Sequence, residues 1–235
     1  MNSKRLWIML KNNIEIKNIS NPGLKIKPRR LLSSTHEMVI VPVRGKTEVK
    51  TASGLLFMLR RNILTEGSDA LFLPISTDFV LNIYPLAEVA IVFGRTDKKS
   101  EIKVIKLSES TSVGKGNYSR SVRMICGSDG PTDRLIVGET MSPAGNWSSW
   151  PPHRHDNETV DESDHEEVYL FYTKSWGLMR IYDGNAQRFE AVYDGKKVRI
   201  EKGYHPVVAS PFSDLYYLFA LYGNHKNLKQ KFSEI

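Results

Sequence analysis

The residues with most chemical promise lie in Gly145-Asn-Trp-Ser-Ser-Trp-Pro-Pro-His-Arg-His-Asp156. Along a strand, residues two apart share a face. His153 and His155 therefore point one way and Arg154 the other. Two imidazoles so placed can hold one divalent metal ion. After an acidic loop, Glu167 opens the run Glu-Val-Tyr-Leu-Phe-Tyr172, whose same-face companions are Tyr169 and Phe171. His205, in Lys202-Gly-Tyr-His-Pro, stands just after Gly203 and offers a fourth ligand. Three imidazoles and a carboxylate form a borderline-hard set, suited to zinc or manganese first and also to iron, cobalt or nickel. Substrate can enter such a site if coordination expands beyond the four protein ligands.

Each piece has a plainer reading by itself. A His-x-His pair is common on strand surfaces, a histidine after a glycine turn is usually a hydrogen-bonded turn residue, and Glu166 competes with Glu167. His165 and His225 read as loop and tail residues. Only the combination, spread over short strands as barrel walls require, points to a metal.

The elements that must position these groups are short strands rich in Val, Ile, Tyr and Phe, many of them separated by Gly, Pro, Asp or Ser. They are expected at Met38–Val43, Ala70–Leu73, Phe79–Ile83, Ala87–Phe93, Ile102–Leu107, Arg134–Thr140, Val168–Tyr172, Met179–Tyr182, Glu190–Tyr193, Lys197–Ile200, Pro206–Ala209 and Asp214–Leu221. Phe57–Leu64 reads as a helical turn or two. Many short strands and few helical periods predict an all-β sandwich or barrel. The polar, Gly-containing stretch Ser108–Asn117 divides the chain into halves, 1–113 and 114–235. His36 is the only histidine before it and five follow, so imidazole chemistry belongs to the second half.

Bulk properties narrow the class. Hydrophobic residues make up 40% and charged residues 25% of the 235, enough for a sizeable core. The apolar run Leu6–Leu10 is too short for a secretion signal, and no stretch approaches the roughly 20 apolar residues of a membrane span. A lone cysteine, Cys126, suits a reducing cytoplasm. Much of the net charge of +7 comes from Lys4, Arg5, Lys11, Lys17, Lys25, Lys27, Arg29 and Arg30, against Glu15 alone. A nucleic-acid arm would bring stacking aromatics or a recognition motif, and none is present. A solvated leading segment is the simpler reading, and positive charge also attracts anionic substrates. The expected protein is cytoplasmic, binds neither nucleic acid nor membrane, and is free to form a homo-oligomer.

The His-x-His, the Glu on the next strand and the distant His after a Gly turn resemble the cupin superfamily. A denser set resembles the 5-deoxy-glucuronate isomerase family of inositol catabolism: the Gly-Asn-Trp-Ser-Ser-Trp-Pro-Pro-His-Arg-His-Asp run, Glu-Glu-Val-Tyr169, Arg180-Ile-Tyr-Asp, Gly203-Tyr-His-Pro-Val-Val and Asp214-Leu-Tyr-Tyr-Leu. Gly114-Lys-Gly-Asn-Tyr-Ser-Arg120 and Val137-Gly-Glu139-Thr extend it upstream. The likeness is dense over Gly114–Gly223 and mainly one of layout before that. It departs at Trp150, Arg154 and Glu201, where the family usually has Tyr, Lys and Pro, and beyond Gly223, where the usual Trp-containing ending is missing.

The resemblance implies two tandem cupin-type (jelly-roll) barrels, with metal only in the second, held by His153, His155, Glu167 and His205. It implies a ketol isomerase that moves a proton between adjacent carbons of a deoxy-uronate, 5-deoxy-glucuronate first. Glu139, which matches a family Glu, is then the first candidate for the general base, although pairing with Arg120 or Arg180 would explain it equally well. Tyr169 and Tyr204 could donate hydrogen bonds to substrate oxygens. Arg120 and Arg180 are the choices for gripping the substrate carboxylate, Arg being suited to bidentate contact. The alternatives are a 4-deoxy-5-hexosulose-uronate ketol isomerase, an iron dioxygenase, and a sugar-binding cupin without catalysis.

Overall fold

The computed structural model describes residues 13–20, 24–26 and 35–234. Most of the basic leading segment, including Lys4, Arg5, Lys11, Lys27, Arg29 and Arg30, lies outside the described residues, as does the apolar run 6–10. Lys17 is described and pairs with Glu15. The chain divides into two compact units. One contains the described residues as far as Leu107 together with Pro131–Arg134; the other contains Ser108–Gly130 and the chain from Leu135 onward. The division thus falls six residues before the expected 113/114 boundary.

The first unit holds β1 (Ile14–Ser20), β2 (Leu24–Ile26), β3 (His36–Thr51), β4 (Gly54–Arg60), β5 (Ala70–Leu73), β6 (Phe79–Ile83), β7 (Glu88–Arg95) and β8 (Lys103–Ile105). Strand β3 runs for 16 residues and serves two layers. Its first half pairs with β7 and β5, and its second half with β4 and β6. The change of direction coincides with a register shift between Pro42 and Arg44 and with Gly45 at φ 74°. A Cβ at Gly45 would sit 2.6 Å from Ala87, so only glycine fits the bend. Ile40, Leu73, Leu81 and Val89 are fully buried in the resulting core.

Strand β4 corrects the helical expectation for Phe57–Leu64. Met58 and Arg60 turn inward and Leu55, Phe57 and Leu59 stay exposed, the alternation of a strand. Five consecutive apolar residues carry no period, so pairing with the long β3 decides the conformation. The helix-like signal survives only as a turn in which Glu66 N–H donates to Asn62 O at 3.0 Å.

The second unit holds β9 (Thr111–Val113), β10 (Arg120–Cys126), β11 (Leu135–Ser142), β12 (Trp147–Ser148), β13 (His153–Arg154) and β14 (His165–Thr173). It continues with β15 (Gly177–Asp183), β16 (Ala186–Val192), β17 (Lys197–Ile200), β18 (Val207–Ala209), β19 (Leu215–Gly223) and β20 (Lys231–Phe232). A six-stranded sheet runs β17-β14-β19-β11-β10-β9 and a four-stranded one β12-β18-β15-β16, with β13-β20 as a separate pair. Both larger sheets contribute to one core, where Phe171, Met179, Val192, Val207 and Leu215 are completely buried. Each such side chain contributes about 1.5–3 kcal/mol on removal from water.

The architecture is all-β, with a single 3-10 turn at Gly116–Tyr118 among the described residues. The jelly-roll units close by side-chain packing between open sheets, not by a continuous ring of hydrogen bonds. No helix among the described residues is long and apolar enough to cross a membrane.

Candidate metal centre and cavity

Three separate pieces of chain deliver the four expected ligands to one place. His153 and His155 come from β13 and the residue after it, Glu167 from β14, and His205 from the turn before β18. The ligand atoms of His153, His155 and His205 all lie within 4.8 Å of one another, and all three residues are buried. Glu167 Oε2 stands 3.1 Å from His155 Nε2 and 3.2 Å from His205 Nε2.

Local backbone chemistry aims these rings. His155 Nδ1 lies 3.0 Å from the His165 carbonyl and His205 Nδ1 lies 2.9 Å from the Gly203 carbonyl. A carbonyl only accepts, so each Nδ1 carries a proton and each Nε2 is the atom turned toward Glu167. A ring N–H of His153 likewise donates to the Pro151 carbonyl. Gly203 is required for this placement. It has φ 94°, a Cβ there would fall 2.6 Å from the Tyr182 carbonyl oxygen, and its N–H donates to Asp156.

The Nε2 atoms of His155 and His205 thus converge on one carboxylate oxygen, an arrangement held together by a shared proton or by a cation. His205 Nε2 is buried without an aligned hydrogen bond. Ligating imidazoles whose other nitrogen donates to a backbone carbonyl are the usual outer support of a metal site. The donor set therefore fits a divalent ion.

Protonation differs from group to group within the cluster. Burial drives the His153 pKa down to about 3, with His205 adding to the depression, so the ring is neutral at ordinary pH. Burial works against charge on Glu167, but hydrogen bonds from His155 and His205 overcome it and hold the carboxyl well below its usual range. For His155 burial also opposes protonation, and the Glu167 contact outweighs it, raising the pKa. A metal ion bound here would displace the proton that Glu167 favours on His155, because the ligating forms are a carboxylate and neutral imidazoles.

Beside this cluster lies a cavity of about 440 Å³, within the range of small-ligand sites. One wall is the face of the six-stranded sheet that carries Thr140, Tyr169, Tyr217 and Phe219. Another comes from Ser149, Trp150 and Pro151, and a third from the tail residues Leu228, Gln230 and Phe232. Tyr169 is buried, stacks on Tyr217 with ring centroids 4.5 Å apart, and its hydroxyl lies 3.1 Å from Ser149 Oγ. Burial and the neighbouring Glu167 push its pKa well above the ordinary value, so it holds its proton.

Other expected site residues do not join the cluster. Glu139 is buried on the opposite face of β11 from the cavity-lining Ile136 and Thr140. Arg123, its partner in the ladder, forms an ion pair with it, and Tyr216 Oη donates to its Oε1 at 2.6 Å. Strand parity thus places Glu139 away from the cavity, and the arginine that pairs with it is neither Arg120 nor Arg180. Arg180 is exposed, 4.2 Å from the Tyr182 ring centroid, on the outward face of β15 whose Met179 and Ile181 fill the core.

Tyr204 is placed apart from the cavity as well. It stacks on Tyr182 at 5.2 Å, next to His205 in sequence but outside the cavity lining. Arg154 turns away from the metal cluster as parity predicts, 3.3 Å from Glu162 and 5.5 Å from the Tyr204 ring. Arg120 does line the cavity, but it donates to the Tyr118 carbonyl at 3.1 Å. By the ladder registers it lies three strands from Glu167 and at the opposite end of the sheet.

His165, read from the sequence as a loop residue, is the buried first residue of β14, and both it and His225 are engaged by neighbours outside the cluster. His165 Nε2 donates to the His225 carbonyl at 2.8 Å, and His225 Nε2 lies 3.2 Å from Glu158. Ser149, Tyr217, Gln230 and Phe232 were not anticipated. For the tail, the alternation Leu228-Lys-Gln-Lys-Phe232 was the available signal, since period two places Leu228, Gln230 and Phe232 on one face.

Comparison with known proteins agrees with this architecture. A 5-deoxy-glucuronate isomerase of Halalkalibacterium halodurans is 30% identical over 232 residues, covering 90% of this chain and 84% of the relative. The enzyme of the same name from Geobacillus kaustophilus is 36% identical over 116 residues, a match spanning 47% of this chain and 42% of the relative's length. The crystal structure of an IolB-like protein from Salmonella typhimurium LT2 superposes with a TM-score of 0.86 at 25% identity, covering 94% of this chain and 86% of that one. Bacillus subtilis oxalate decarboxylase shares the fold alone, with a TM-score of 0.60 at 9% identity over 94% of this chain and 71% of its own. The two-unit cupin architecture is therefore that of this chain. A sequence model of the KduI/IolB family matches residues 25–234, and the chain belongs to that family.

Proposed function

We propose that the chain is a metal-dependent aldose–ketose isomerase that converts 5-deoxy-glucuronate into 5-dehydro-2-deoxy-gluconate in inositol catabolism. The observation that carries this reading is the buried cluster of His153, His155, His205 and Glu167 beside a ligand-sized cavity. The names of the relatives support the choice of substrate.

In this reading His153, His155, Glu167 and His205 hold the ion, zinc or manganese first. The bound ion would supply Lewis acidity for charge developing on two adjacent substrate oxygens. The remaining roles fall to residues that face the cavity. Tyr169, protonated and stacked on Tyr217, presents a hydroxyl that can hold a hydrogen bond to a substrate oxygen or pass a proton. Trp150 and Phe219 exclude water from the reacting carbons. Arg120, at the far end of the cavity, attracts an anionic substrate and does not clamp it at the cluster.

The test is direct. Purified protein loaded with zinc or manganese is mixed separately with 5-deoxy-glucuronate and 4-deoxy-5-hexosulose uronate, and loss of the substrate signal is followed by NMR. Turnover of the first at a far higher kcat/KM is expected. Preference for the second, or oxygen uptake in place of isomerisation, overturns the assignment.

A further inference from the structure

The C-terminal segment is tied across the metal strand. Strand β20 pairs with β13, setting Phe232 opposite His153 and Lys231 opposite Arg154. Ser233 N–H donates to the Pro152 carbonyl at 2.8 Å, in keeping with the same register. One step further along that register, Gln230 faces His155. Directly opposed residues in an antiparallel pair have Cβ atoms about 5 Å apart. The strap is anchored beyond the pair as well. Lys229 N–H donates to Ser163 Oγ at 2.9 Å, and Lys226 Nζ donates to the Gly130 carbonyl at 2.8 Å.

Parity separates the strap's side chains. Lys229 points away, its Nζ donating to the Val160 carbonyl at 2.9 Å, whereas Gln230 and Phe232 line the cavity. The Phe232 ring lies 6.0 Å from that of His153, yet the residue is 53% exposed, as an aromatic at a cavity mouth would be. Gln230 is half-buried, and its amide has no hydrogen-bond partner among the described residues. An amide offers two donors and one acceptor without net charge, which matches the vicinal hydroxyls and carbonyl of a sugar acid. Arg120 stands at the other end of the sheet. At the histidine end, the strap's amide is therefore well placed to read the substrate's oxygens.

We propose that Gln230, carried by the C-terminal strap, hydrogen-bonds the oxygen-rich chain of the sugar acid bound at the histidine cluster and is a specificity-determining residue. This rests on the isomerase reading above. The amide acts together with Phe232, which covers the mouth.

Two substitutions separate hydrogen bonding from packing. Gln230→Leu keeps the wall and removes the amide; Gln230→Ala removes both. KM for 5-deoxy-glucuronate is expected to rise about tenfold in each, the size of a lost neutral hydrogen bond, with kcat within about twofold. Metal content and thermal midpoint should match wild type. Unchanged KM in Gln230→Leu overturns the proposal while wild-type turnover leaves the isomerase reading intact. A correctly metallated wild type that neither binds nor converts the uronate overturns both.

Discussion

His153 and His155 differ in how their surroundings treat a proton, and the difference is measurable. The His153 pKa falls from 6.5 to about 3 through burial and the neighbouring His205, so an unfolded chain takes up that proton more readily than the fold does. Metal-free protein must then lose stability as pH falls below 6.5. His155 is shifted upward, so its contribution is complete below 6.5 and is lost as pH rises through its folded value. Glu167, held low, adds its own acid loss only below about 4.5. His36 and His165 are also depressed, chiefly by burial, and act with the same sign as His153. Comparing chelated wild type with chelated His153→Gln isolates the one ring. Denaturant titration should show about 2 kcal/mol less acid sensitivity in the variant between pH 6.5 and 4.5. Equal slopes would contradict the burial argument. The ligand residues themselves were legible from type and spacing. Their tautomers were not, because these depend on carbonyls of His165 and Gly203 that only the folded chain brings near.

Strand parity decides what each element offers the site. On β11, Ile136 and Thr140 face the cavity while Glu139 faces Arg123 and Tyr216. Glu139→Gln should therefore act as a stability variant. Leaving Arg123 buried beside a neutral amide costs about 3 kcal/mol, read as a lower denaturation midpoint, with kcat of the folded protein nearly unchanged. A loss of about 100-fold in kcat at unaltered stability would instead restore Glu139 as a general base. Sequence alternation located the strands that carry large apolar residues, such as β5, β6 and β17, with the observed bounds. It set His153 and His155 on a strand but did not pick out β20, two residues long and held by its pairing with β13. It also misread β4, where an unbroken apolar run has no period to read.

At the scale of the whole chain, the candidate site lies within one of the two units. Every residue of the candidate metal cluster and of the cavity belongs to the second unit, which also holds five of the six histidines. The all-β architecture was legible from the spacing of short strands, but the transfer of Pro131–Arg134 to the first unit was not. That segment's Asp133 and Arg134 N–H groups donate to Glu37, 2.7 Å and 2.9 Å away, a contact between positions far apart in sequence that no local pattern encodes. The account rests on a single ion held by ligands from three places in the second unit. Its most direct test is the metal content and isomerase rate of wild type, His155→Ala and exhaustively chelated wild type, with circular dichroism to verify folding. The account predicts one divalent ion per wild-type chain, no bound ion and at least about a 1,000-fold slower rate in the other two, and a retained β spectrum. Undiminished turnover by metal-free protein would contradict it.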